Sequence, residues 1–346
     1  RDNPTPEERI KYLQLKYYHG EDKKSVYLSE IAALYFKTGM KQMAYLCWLE
    51  SLRLDPSLMD VARRIQEFPE GLKIRFPGKL QPDKVTVSVV MTTYNRGDIV
   101  RESIQSVLDQ NFQDFELWLI NDGGDTAVEK ILEGLNSPKI RYLRKEHNTG
   151  LPSARNEALI RAEGKYIAYL DDDDVYLPNH LSVLLERLSA TGAKVAYANT
   201  RAIQGRYKNG KFIPGKCLFV WDEDFDKDTL IQRIYIGTCA IMHEKAILAD
   251  TGFFIEDLSC GQDWEFWLRF AVKYHFEHLR QFTSEYRIRE DNQTVADRIS
   301  GYFFGAMVTK FYAFHKGEVA LLKNRLSSGA TGEARRAYEE IRGRYR

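Results

Sequence analysis

Residues 85–91 read Val85-Thr86-Val87-Ser88-Val89-Val90-Met91, a β-branched run bounded by polar residues. Such a run is typical of a buried strand, and a stretch with helical spacing of its apolar residues follows it. The alternation continues, with predicted strands at 116–120, 140–143 and 166–170 and predicted helices at 97–109, 126–135 and 151–162. Strands and helices that alternate with short connections predict an α/β fold, with a mainly parallel sheet and helices on both faces.

Polar residues stand at the carboxyl ends of three of these four predicted strands. The three segments are Thr92-Thr93-Tyr94-Asn95-Arg96, Asn121-Asp122-Gly123-Gly124 and Asp171-Asp172-Asp173-Asp174. Taken alone, the first segment is also typical of a helix cap and the second of a plain turn. Ligands of parallel α/β sheets bind beyond the carboxyl ends of the strands, so three such segments at one edge favour a nucleotide site.

Four consecutive carboxylates follow the apolar strand at 166–170. Like charges repel and raise one another's pKa, so this arrangement calls for a cation. Mg²⁺ and Mn²⁺ prefer hard oxygen ligands, and Mg²⁺ is usually bound by one or two carboxylates together with substrate phosphates. In a turn at a strand end, Asp171 and Asp173 can face the same side while Asp172 points elsewhere. The alternative is a solvated acidic turn that caps the next helix.

The overall composition excludes several classes of protein. The chain has 346 residues, 44% of them hydrophobic, which is enough for two domains with a sizeable core. Fifty Lys and Arg against 49 Asp and Glu leave a formal charge of +1, so we expect no nucleic-acid partner. The four cysteines are far apart, which argues against structural zinc and a disulfide framework. No secretory signal or apolar run of membrane-spanning length is present, so we expect a cytoplasmic protein.

Residues 5 to about 68 follow a helical pattern. Within residues 25–58, four residues have the spacing of a tetratricopeptide repeat of about 34 residues. These residues are Ala32, Tyr35, Ala44 and Pro56. A plain helical hairpin packed on the rest of the chain explains the same pattern equally well. Residues 69–83 are rich in Pro, Gly and Lys and predict a linker.

Five motifs resemble those of family 2 glycosyltransferases in order and approximate spacing. They are Val87-Ser88-Val89-Val90-Met91-Thr92-Thr93-Tyr94-Asn95-Arg96, Ile120-Asn121-Asp122-Gly123-Gly124, Asn148-Thr149-Gly150-Leu151-Pro152-Ser153-Ala154-Arg155-Asn156, Leu170-Asp171-Asp172-Asp173-Asp174 and Gly261-Gln262-Asp263-Trp264. The resemblance covers roughly residues 85–294 and implies the GT-A fold, a Rossmann-like α/β architecture. We therefore expect three parts, which are a helical, tetratricopeptide-like module with its linker at 1–80, a GT-A domain at 81–296 and a helical extension at 297–346.

The resemblance also implies an activity, which is inverting transfer of a sugar from a nucleotide diphosphate sugar with a divalent metal, Mn²⁺ or Mg²⁺. UDP-sugars are the favoured donors. The nucleotide-binding residues that it implies are Thr92, Tyr94 and Asn95 around the nucleoside, Asp122 at a ring N–H of the base, and Arg155. In the Asp-X-Asp motif, Asp173 would be the main metal ligand, and Asp171 and Asp172 would be shared between the metal, its water and the ribose.

Asp263 corresponds to the catalytic base of the family. A hydroxyl acceptor is a weak nucleophile until a base removes its proton, so a carboxylate on the opposite face of the sugar suits this role. Attack from that face inverts the anomeric configuration. Asp263 also precedes an apolar helical stretch, where a carboxylate at a helix N-terminus needs no catalytic role.

The sequence departs from the family after its last core strand. A Tyr-Arg-X-His pattern is frequent there, and this chain has Tyr286-Arg287-Ile288-Arg289. Arg289 is not expected to bind a metal, but a guanidinium can hold a phosphate through two hydrogen bonds, so we assign it to the donor diphosphate. An exposed, solvated Arg289 is an equally good interpretation.

The expected partners are the nucleotide-sugar donor and a glycan, lipid-linked or protein acceptor. Residues 1–80 are candidates for binding a protein partner or a second copy of the chain. Residues 316–346 carry eight Lys and Arg against four Glu, which allows peripheral contact with the inner face of a membrane. Two alternatives stay open: an inactive scaffold that uses its helical module, and a sugar-phosphate nucleotidyltransferase. The latter usually has a Gly-rich phosphate loop after the first strand, where this chain has 92–96.

Overall fold

The structure, a computed structural model, describes residues 23–38, 57–66, 80–97, 99–256 and 261–289, together with separate positions nearer the start. These positions are 5, 6, 9, 12, 13, 44, 47, 48, 51, 54 and 55. Contacts group the described residues into two units: a first unit with the residues before 74 and residues 261–269, and a second unit with residues 80–256 and 270–289. The predicted extension at 297–346 and most of the predicted linker lie outside the described residues.

The second unit is built on a nine-stranded sheet. Its strands are β1 (Val85–Thr93), β2 (Phe115–Asn121), β3 (Ile140–Arg144), β4 (Gly164–Tyr169), β5 (Val175–Tyr176), β6 (Val195–Lys208), β7 (Lys211–Trp221), β8 (Ile241–Glu244) and β9 (Phe276–Arg289). The order across the sheet is β3-β2-β1-β4-β8-β6-β9-β5, and β7 pairs with β6. Strands β3, β2, β1 and β4 are mutually parallel, as predicted, whereas β8 is antiparallel to both of its neighbours.

Helices cover both faces of this sheet. In chain order the described helices are α1 (Lys24–Lys37), α2 (Met59–Gln66), α3 (Val100–Leu108), α4 (Ala127–Leu135), α5 (Leu151–Arg161), α6 (His180–Thr191), α7 (Lys227–Gln232), α8 (Leu248–Thr251) and α9 (Gln262–Lys273). One core cluster contains the alternating Val87, Val89 and Met91 of β1 together with buried residues of α3, α4 and α6. Helix α5 contacts β1 and β2 and does not belong to that cluster. The predicted α/β architecture is confirmed, with a sheet that is mixed beyond β4.

The strand positions follow from side-chain pattern and local chemistry. Every second residue of β1 is apolar and packs into the core cluster, which fixes its register on β2 and β4. Gly164 opens β4 opposite Val85, and a Cβ at this position would lie 2.6 Å from the carbonyl carbon of Val87. The strand therefore begins at Gly164, two residues before the predicted position 166. Only glycine allows the backbone at residue 164 to lie this close to β1.

The first unit is helical in its described parts. Helix α1 buries Leu28, Ile31, Ala32 and Tyr35, the face that the sequence predicts. The hydroxyl of Ser51 donates a 2.6 Å hydrogen bond to the carbonyl of Ser25, so this helix is held against a second helical segment. The contact is that of a helical hairpin, and the tetratricopeptide repeat stays a prediction. None of the described helices is both long and apolar enough to cross a membrane.

Candidate active site

The three polar segments of the sequence follow β1, β2 and β4, which are neighbours in the sheet. In the register of the parallel pairs, Thr93 lies opposite Asn121, and Val90 lies opposite Tyr169. The segments after these strands therefore share one edge of the sheet, as predicted. Thr92 and Thr93 are buried beneath this edge, and Tyr94 is exposed on it.

Asp122 is the central acceptor of the turn after β2. Its carboxylate accepts hydrogen bonds from the backbone N–H of Thr149 at 3.1 Å and from that of Gly150 at 2.8 Å. Lys145 forms an ion pair with the Oδ1 atom at 3.2 Å. Asp122 is only 4% exposed, so it fixes the segment that leads into α5. The carboxylate that is predicted to bind a base thus also holds the turn that precedes α5.

The turn after β1 packs tightly on the turn after β2. Asn95 has a positive φ of 53°, and its side-chain oxygen accepts a 2.9 Å hydrogen bond from the N–H of Asp125. A Cβ on Gly124 would lie 2.8 Å from the backbone nitrogen of Asn95. The two turns therefore fit together only because residue 124 is glycine, and Tyr94 and Asn95 are held next to the Asp122 turn.

The acidic turn after β4 is neutralised in part by two arginines. Arg96 donates to Asp172 at 2.6 Å and to Asp173 at 2.9 Å. Arg155, on α5 and almost fully buried, donates to Asp171 at 2.6 Å. The predicted nucleotide residue Arg155 and the predicted metal residue Asp171 are thereby brought together.

Burial perturbs the carboxylates of this turn. Desolvation and, after it, the charge of Asp173 raise the pKa of Asp172 to about 7, although Arg96 acts in the opposite direction. Burial likewise raises the pKa of Asp173, and the opposing charges of Arg96 and Arg289 offset only part of this increase. The pKa of Asp174 is well above its usual range because its carboxylate is completely buried beside two other acids. Burial and neighbouring acids therefore disfavour the charged forms of Asp172, Asp173 and Asp174.

The last strand brings further basic residues to the same turn. The backbone N–H of Arg287 donates to Asp174 at 2.8 Å, and its guanidinium donates to Glu102 of α3 at 2.6 Å. Arg289, two residues along β9, is close enough to Asp173 for its charge to lower the pKa of that carboxylate. The hydroxyl of Tyr207 on β6 donates to the carbonyl of Asp173 at 3.3 Å. Strands β9 and β6 thus bring Arg289 and Tyr207 to the acidic turn.

The donor set fits a hard divalent cation. Asp171 and Asp173 have side chains 31% and 16% exposed, and the arginine hydrogen bonds engage one oxygen of each. These carboxylates, with raised pKa at Asp172 and Asp173, suit Mg²⁺ or Mn²⁺, which bind with substrate phosphates as further ligands. Within the described part of the chain, no cluster of three or more His, Cys, Asp or Glu side chains forms an all-protein metal site.

Asp263 lies in the first turn of α9 and belongs to the first unit. Its Oδ1 atom accepts a 2.8 Å hydrogen bond from the backbone N–H of Trp264. Two positions later along the helix, Glu265 begins a buried ion pair with Arg269, with two hydrogen bonds of 2.6 and 2.7 Å. Helix α9 therefore presents Asp263 next to a rigid, internally paired segment.

Several residues of the site escape the sequence analysis. Lys145, which binds Asp122, and Glu102, which binds Arg287, lie outside the five motifs. Thr149 and Gly150, which also bind Asp122, belong to a motif but received no role from it. Arg96 belongs to a recognised motif, but its pairing with Asp172 joins residues 76 positions apart. Charge alternation along the chain does not reveal such pairs. The sequence does give one indication of such a pair: residues 171–174 are four carboxylates without a basic neighbour, so a positive charge must come from another part of the chain or from a bound cation.

Comparison with protein families gives a match over the centre of the chain. The model of glycosyl transferase family 2 matches residues 88–248, which include the turns after β1, β2 and β4. The putative colanic acid biosynthesis glycosyl transferase WcaA of Escherichia coli K12 is 28% identical over 240 residues, 66% of this chain and 81% of that protein. An uncharacterised glycosyltransferase of Methanocaldococcus jannaschii is 31% identical over 217 residues, 60% of this chain and 72% of that protein.

A third relative has a more specific name. It is the UDP-Glc:alpha-D-GlcNAc-diphosphoundecaprenol beta-1,3-glucosyltransferase WfgD of Escherichia coli, 30% identical over 173 residues, 49% of this chain and 65% of that protein. Among solved structures, residues 1–349 of TarS from S. aureus in complex with UDP superpose with a TM-score of 0.51. The identity is 19%, and the match covers 70% of this chain and 69% of TarS 1–349, so the likeness concerns the fold.

Proposed function

This chain belongs to glycosyl transferase family 2, and we propose that it transfers a sugar from a nucleotide diphosphate sugar to a hydroxyl group with inversion at the anomeric carbon. The donor is a UDP-sugar, and the reaction depends on Mn²⁺ or Mg²⁺. The observation that carries this proposal is the meeting of the Asp122 turn with the partly compensated acidic turn 171–174 at one edge of the sheet. A nucleoside and a diphosphate–metal pair need these two environments side by side.

Each residue of the donor site has a role that its surroundings suit. Tyr94 is exposed beside the Asp122 turn and can contact the nucleoside, with Thr92 beneath it and Asn95 holding the turn in place. Arg155 orients Asp171 through its 2.6 Å hydrogen bond. Asp172 stays with Arg96, and Arg289 faces the diphosphate from β9. The metal is assigned to Asp173 and Asp171, where a divalent cation acts as a Lewis acid on the leaving diphosphate.

Asp263 is the proposed base. Its carboxylate takes the proton of the acceptor hydroxyl as the new bond to the anomeric carbon forms and the bond to the diphosphate breaks. Attack opposite to the leaving group in one displacement inverts the configuration.

The acceptor class follows from the relatives. WfgD is named for a sugar linked to diphosphoundecaprenol and WcaA for colanic acid biosynthesis, so we propose a glycan acceptor carried on a lipid diphosphate. The catalytic part is residues 81–296. Residues 1–80 would serve acceptor docking or self-association, and residues 297–346 would form an extension at the inner face of the membrane.

A donor panel tests the proposal. The purified chain is incubated with UDP-, dTDP- and GDP-sugars, lipid-linked and free glycan acceptors, and Mn²⁺, Mg²⁺ or chelator, while nucleotide release and product are measured. We expect release from a UDP-sugar that stops with chelator and with Asp173→Ala. Asp263→Asn should bind the donor normally and lose at least about 100-fold in transfer. Asp125→Asn, the same substitution at an exposed carboxylate in the turn after β2, is the control and should stay active.

The contrary outcomes separate the alternatives. Transfer that continues with chelator and in Asp173→Ala contradicts the metal requirement, and normal transfer by Asp263→Asn contradicts the base. A folded wild-type chain that binds no nucleotide sugar favours an inactive scaffold. Removal of residues 1–80 tests whether this segment docks an acceptor or a second copy, or only packs on the rest of the chain. Circular dichroism checks that the shortened chain is folded. Loss of acceptor use or of self-association, with donor binding intact, supports docking.

A further inference from the structure

The long hairpin of β6 and β7 has an unusual outer strand. Among the described residues, β7 pairs only with β6, and all eight residues from 213 to 220 are exposed. Four of them are apolar and between 40% and 41% exposed: Ile213, Leu218, Phe219 and Val220. Val220 lies opposite Arg201 and Phe219 opposite Ala202, so these two side chains point to opposite faces, and Leu218 is the extra residue where the register shifts before Cys217. An apolar strand exposed on both faces is expected to have a partner.

The same hairpin has a one-sided charge. Residues 201–221 contain five Lys and Arg and no Asp or Glu. Arg201 pairs with Glu285 in β9. The other four, Arg206, Lys208, Lys211 and Lys216, form no ion pair with a carboxylate in the described part of the chain. Lys208 and Lys211 lie opposite each other beside the Asn209-Gly210 turn, so like charges accumulate at the tip.

Strand pairing with another protein suits this edge poorly. Pro214 lies within β7 and has no N–H to donate to an added strand. Lys211 and Lys216 on the outer strand are the kind of residue that keeps sheet edges from associating, and a second copy would bring lysines against lysines. Pro214, Lys211 and Lys216 therefore oppose the pairing of another protein strand with β7, and they leave its apolar side chains exposed. A partner that carries negative charge, buries apolar side chains and offers no strand would pair with the lysines and cover the apolar residues as well.

We propose that the β6–β7 hairpin binds the surface of an anionic phospholipid bilayer, with Lys208, Lys211 and Lys216 at the headgroups and Leu218, Phe219 and Val220 at the acyl boundary. Basic residues near such a surface are attracted by its negative potential, and apolar side chains add to the binding by burial. Lys side chains can keep their ammonium groups at the headgroups while their methylenes lie deeper.

The hairpin is joined directly to the acidic turn. Tyr207 donates to the carbonyl of Asp173, and Phe212 packs beneath the guanidinium of Arg287 at 4.4 Å from its ring centroid. The indole of Trp221 stacks on Tyr286 at 5.7 Å. A bilayer held by the hairpin is therefore held at a defined place relative to 171–174. That this presents a lipid-linked acceptor to the site rests on the proposed function, whereas the membrane contact does not.

A fluorophore on the hairpin tests the contact directly. Cys217 is exposed on β7, whereas Cys47 and Cys239 are buried, and Cys260→Ser removes the remaining thiol. The full chain, labelled at Cys217 with an environment-sensitive dye, is mixed with vesicles of phosphatidylglycerol and phosphatidylcholine or of phosphatidylcholine alone. We expect sedimentation with the anionic vesicles, a blue shift of the dye, quenching by brominated lipid, and weaker binding at high salt.

Matched charge variants show whether the hairpin is responsible. Lys208→Glu with Lys211→Glu should weaken binding to anionic vesicles at least roughly tenfold. Lys130→Glu with Lys165→Glu changes the net charge equally at exposed positions away from the hairpin and should have little effect. Leu218→Ser with Val220→Ser should weaken binding and reduce the blue shift. UDP affinity, measured by calorimetry, should stay unchanged in all of these variants, which shows that they are folded.

Three results would overturn the proposal. They are the absence of binding to anionic vesicles, binding without any change at Cys217, and an emission shift that depends on protein concentration without lipid. The last result indicates a second copy on the hairpin. A chain that binds vesicles through Cys217 but binds no UDP would retain this inference and reject the proposed donor instead.

Discussion

Arg96 and Asp172 lie at the ends of the neighbouring strands β1 and β4, joined by a 2.6 Å hydrogen bond from the guanidinium to the carboxylate. The same guanidinium reaches Asp173, so one cation serves two of the four acids. The charged forms stabilise one another: the carboxylates act to raise the pKa of Arg96, and Arg96 acts to lower the pKa of Asp172 and of Asp173. The acidic turn is therefore stable as a unit only while this positive charge is present.

Replacement of Arg96 by Gln should lower the free energy of unfolding by about 2 kcal/mol, since two largely buried carboxylates lose a charged hydrogen-bond partner. Because the turn then lacks compensation, Mn²⁺ should raise the Tm of the variant more than that of the wild type. Thermal unfolding with and without Mn²⁺ measures both effects. Equal stabilisation of the two proteins by Mn²⁺ would show that the ion binds elsewhere.

Loss of the Asp122 carboxylate should loosen the segment before α5. Asp122→Ala leaves the N–H group of Thr149 without its acceptor and leaves that of Gly150 with only Oδ1 of Asn148, which should cost about 1–3 kcal/mol in stability. UDP affinity should fall at least about tenfold, as measured by calorimetry. Asp125→Asn is the control, because the Asp125 side chain is exposed and its carboxylate accepts a local hydrogen bond from the N–H of Ala127. Similar UDP affinity in Asp122→Ala and the wild type would remove Asp122 from the nucleoside site.

Gly123 should not tolerate a side chain. It has a positive φ of 76°, and a Cβ would lie 2.5 Å from the backbone nitrogen of Asn148. Gly123→Ala should therefore lower stability by more than about 2 kcal/mol and weaken UDP binding. Gly192→Ala has a comparable φ of 70° but meets nothing within 4 Å, so it isolates the backbone cost of about 1 kcal/mol. Denaturant titration of both variants measures the difference, and equal losses would contradict the steric explanation.

The parallel half of the sheet could be predicted because its signals are local. The β-branched run at 85–91 and the polar segments after three of the four strands require no knowledge of distant contacts. Helices predicted at 126–135 and 151–162 occur at Ala127–Leu135 and Leu151–Arg161. The edge of the sheet that carries the site follows from the strand order alone.

The antiparallel half and the counter-ions depend on distant contacts. Strand β8 is inserted between β4 and β6, a pairing that no periodicity indicates. The β6–β7 hairpin did have a local signal, because Asn209-Gly210 between two β-prone runs is typical of a two-residue turn. Its positive φ angles of 52° and 73° agree with that turn. The pairing of Lys145 with Asp122 depends on how the loop folds back and has no counterpart in the sequence.

Two buried histidines should make stability depend on pH. Burial lowers the pKa of His180 to about 3 and that of His243 to about 4, against 6.5 for an ordinary histidine. The unfolded chain then binds protons below pH 6.5 that the folded chain excludes, so these groups lower stability as the pH falls from 6.5 towards these values. Between pH 7 and 5.5, each should contribute a loss of about 1 kcal/mol.

His180 allows this effect to be isolated. Its Nδ1 atom lies 2.8 Å from the hydroxyl of Thr283, its ring stacks on Tyr176, and its buried Nε2 atom has no hydrogen-bond partner among the described residues. His180→Gln should be less stable at pH 7 yet lose about 1 kcal/mol less than the wild type on acidification to pH 5.5. Urea unfolding at the two pH values measures this change. Parallel losses in both proteins would assign the acid sensitivity to other groups.

Glu265 and Arg269 form the last pair for which we predict a stability effect. Their side chains are 0% and 1% exposed and are joined by two hydrogen bonds, so Glu265→Gln leaves a buried guanidinium poorly compensated. We expect a loss of about 3 kcal/mol, from urea unfolding. Glu265→Leu with Arg269→Met should lose less than the sum of the single changes, because it removes both charges together.

The exposed pair of Glu157 and Arg161 provides the matched control, since it has the same spacing on α5 with side chains 27% and 39% exposed. Glu157→Gln should change stability by less than about 0.5 kcal/mol, because water already screens these charges. If Glu265→Gln has an equally small effect, burial of its pair does not stabilise α9. In that case, a loss of transfer in Asp263→Asn could not be attributed to a base that a rigid helix holds in place. A large effect at Glu265 with little at Glu157 would instead support α9 as a fixed support for the proposed base.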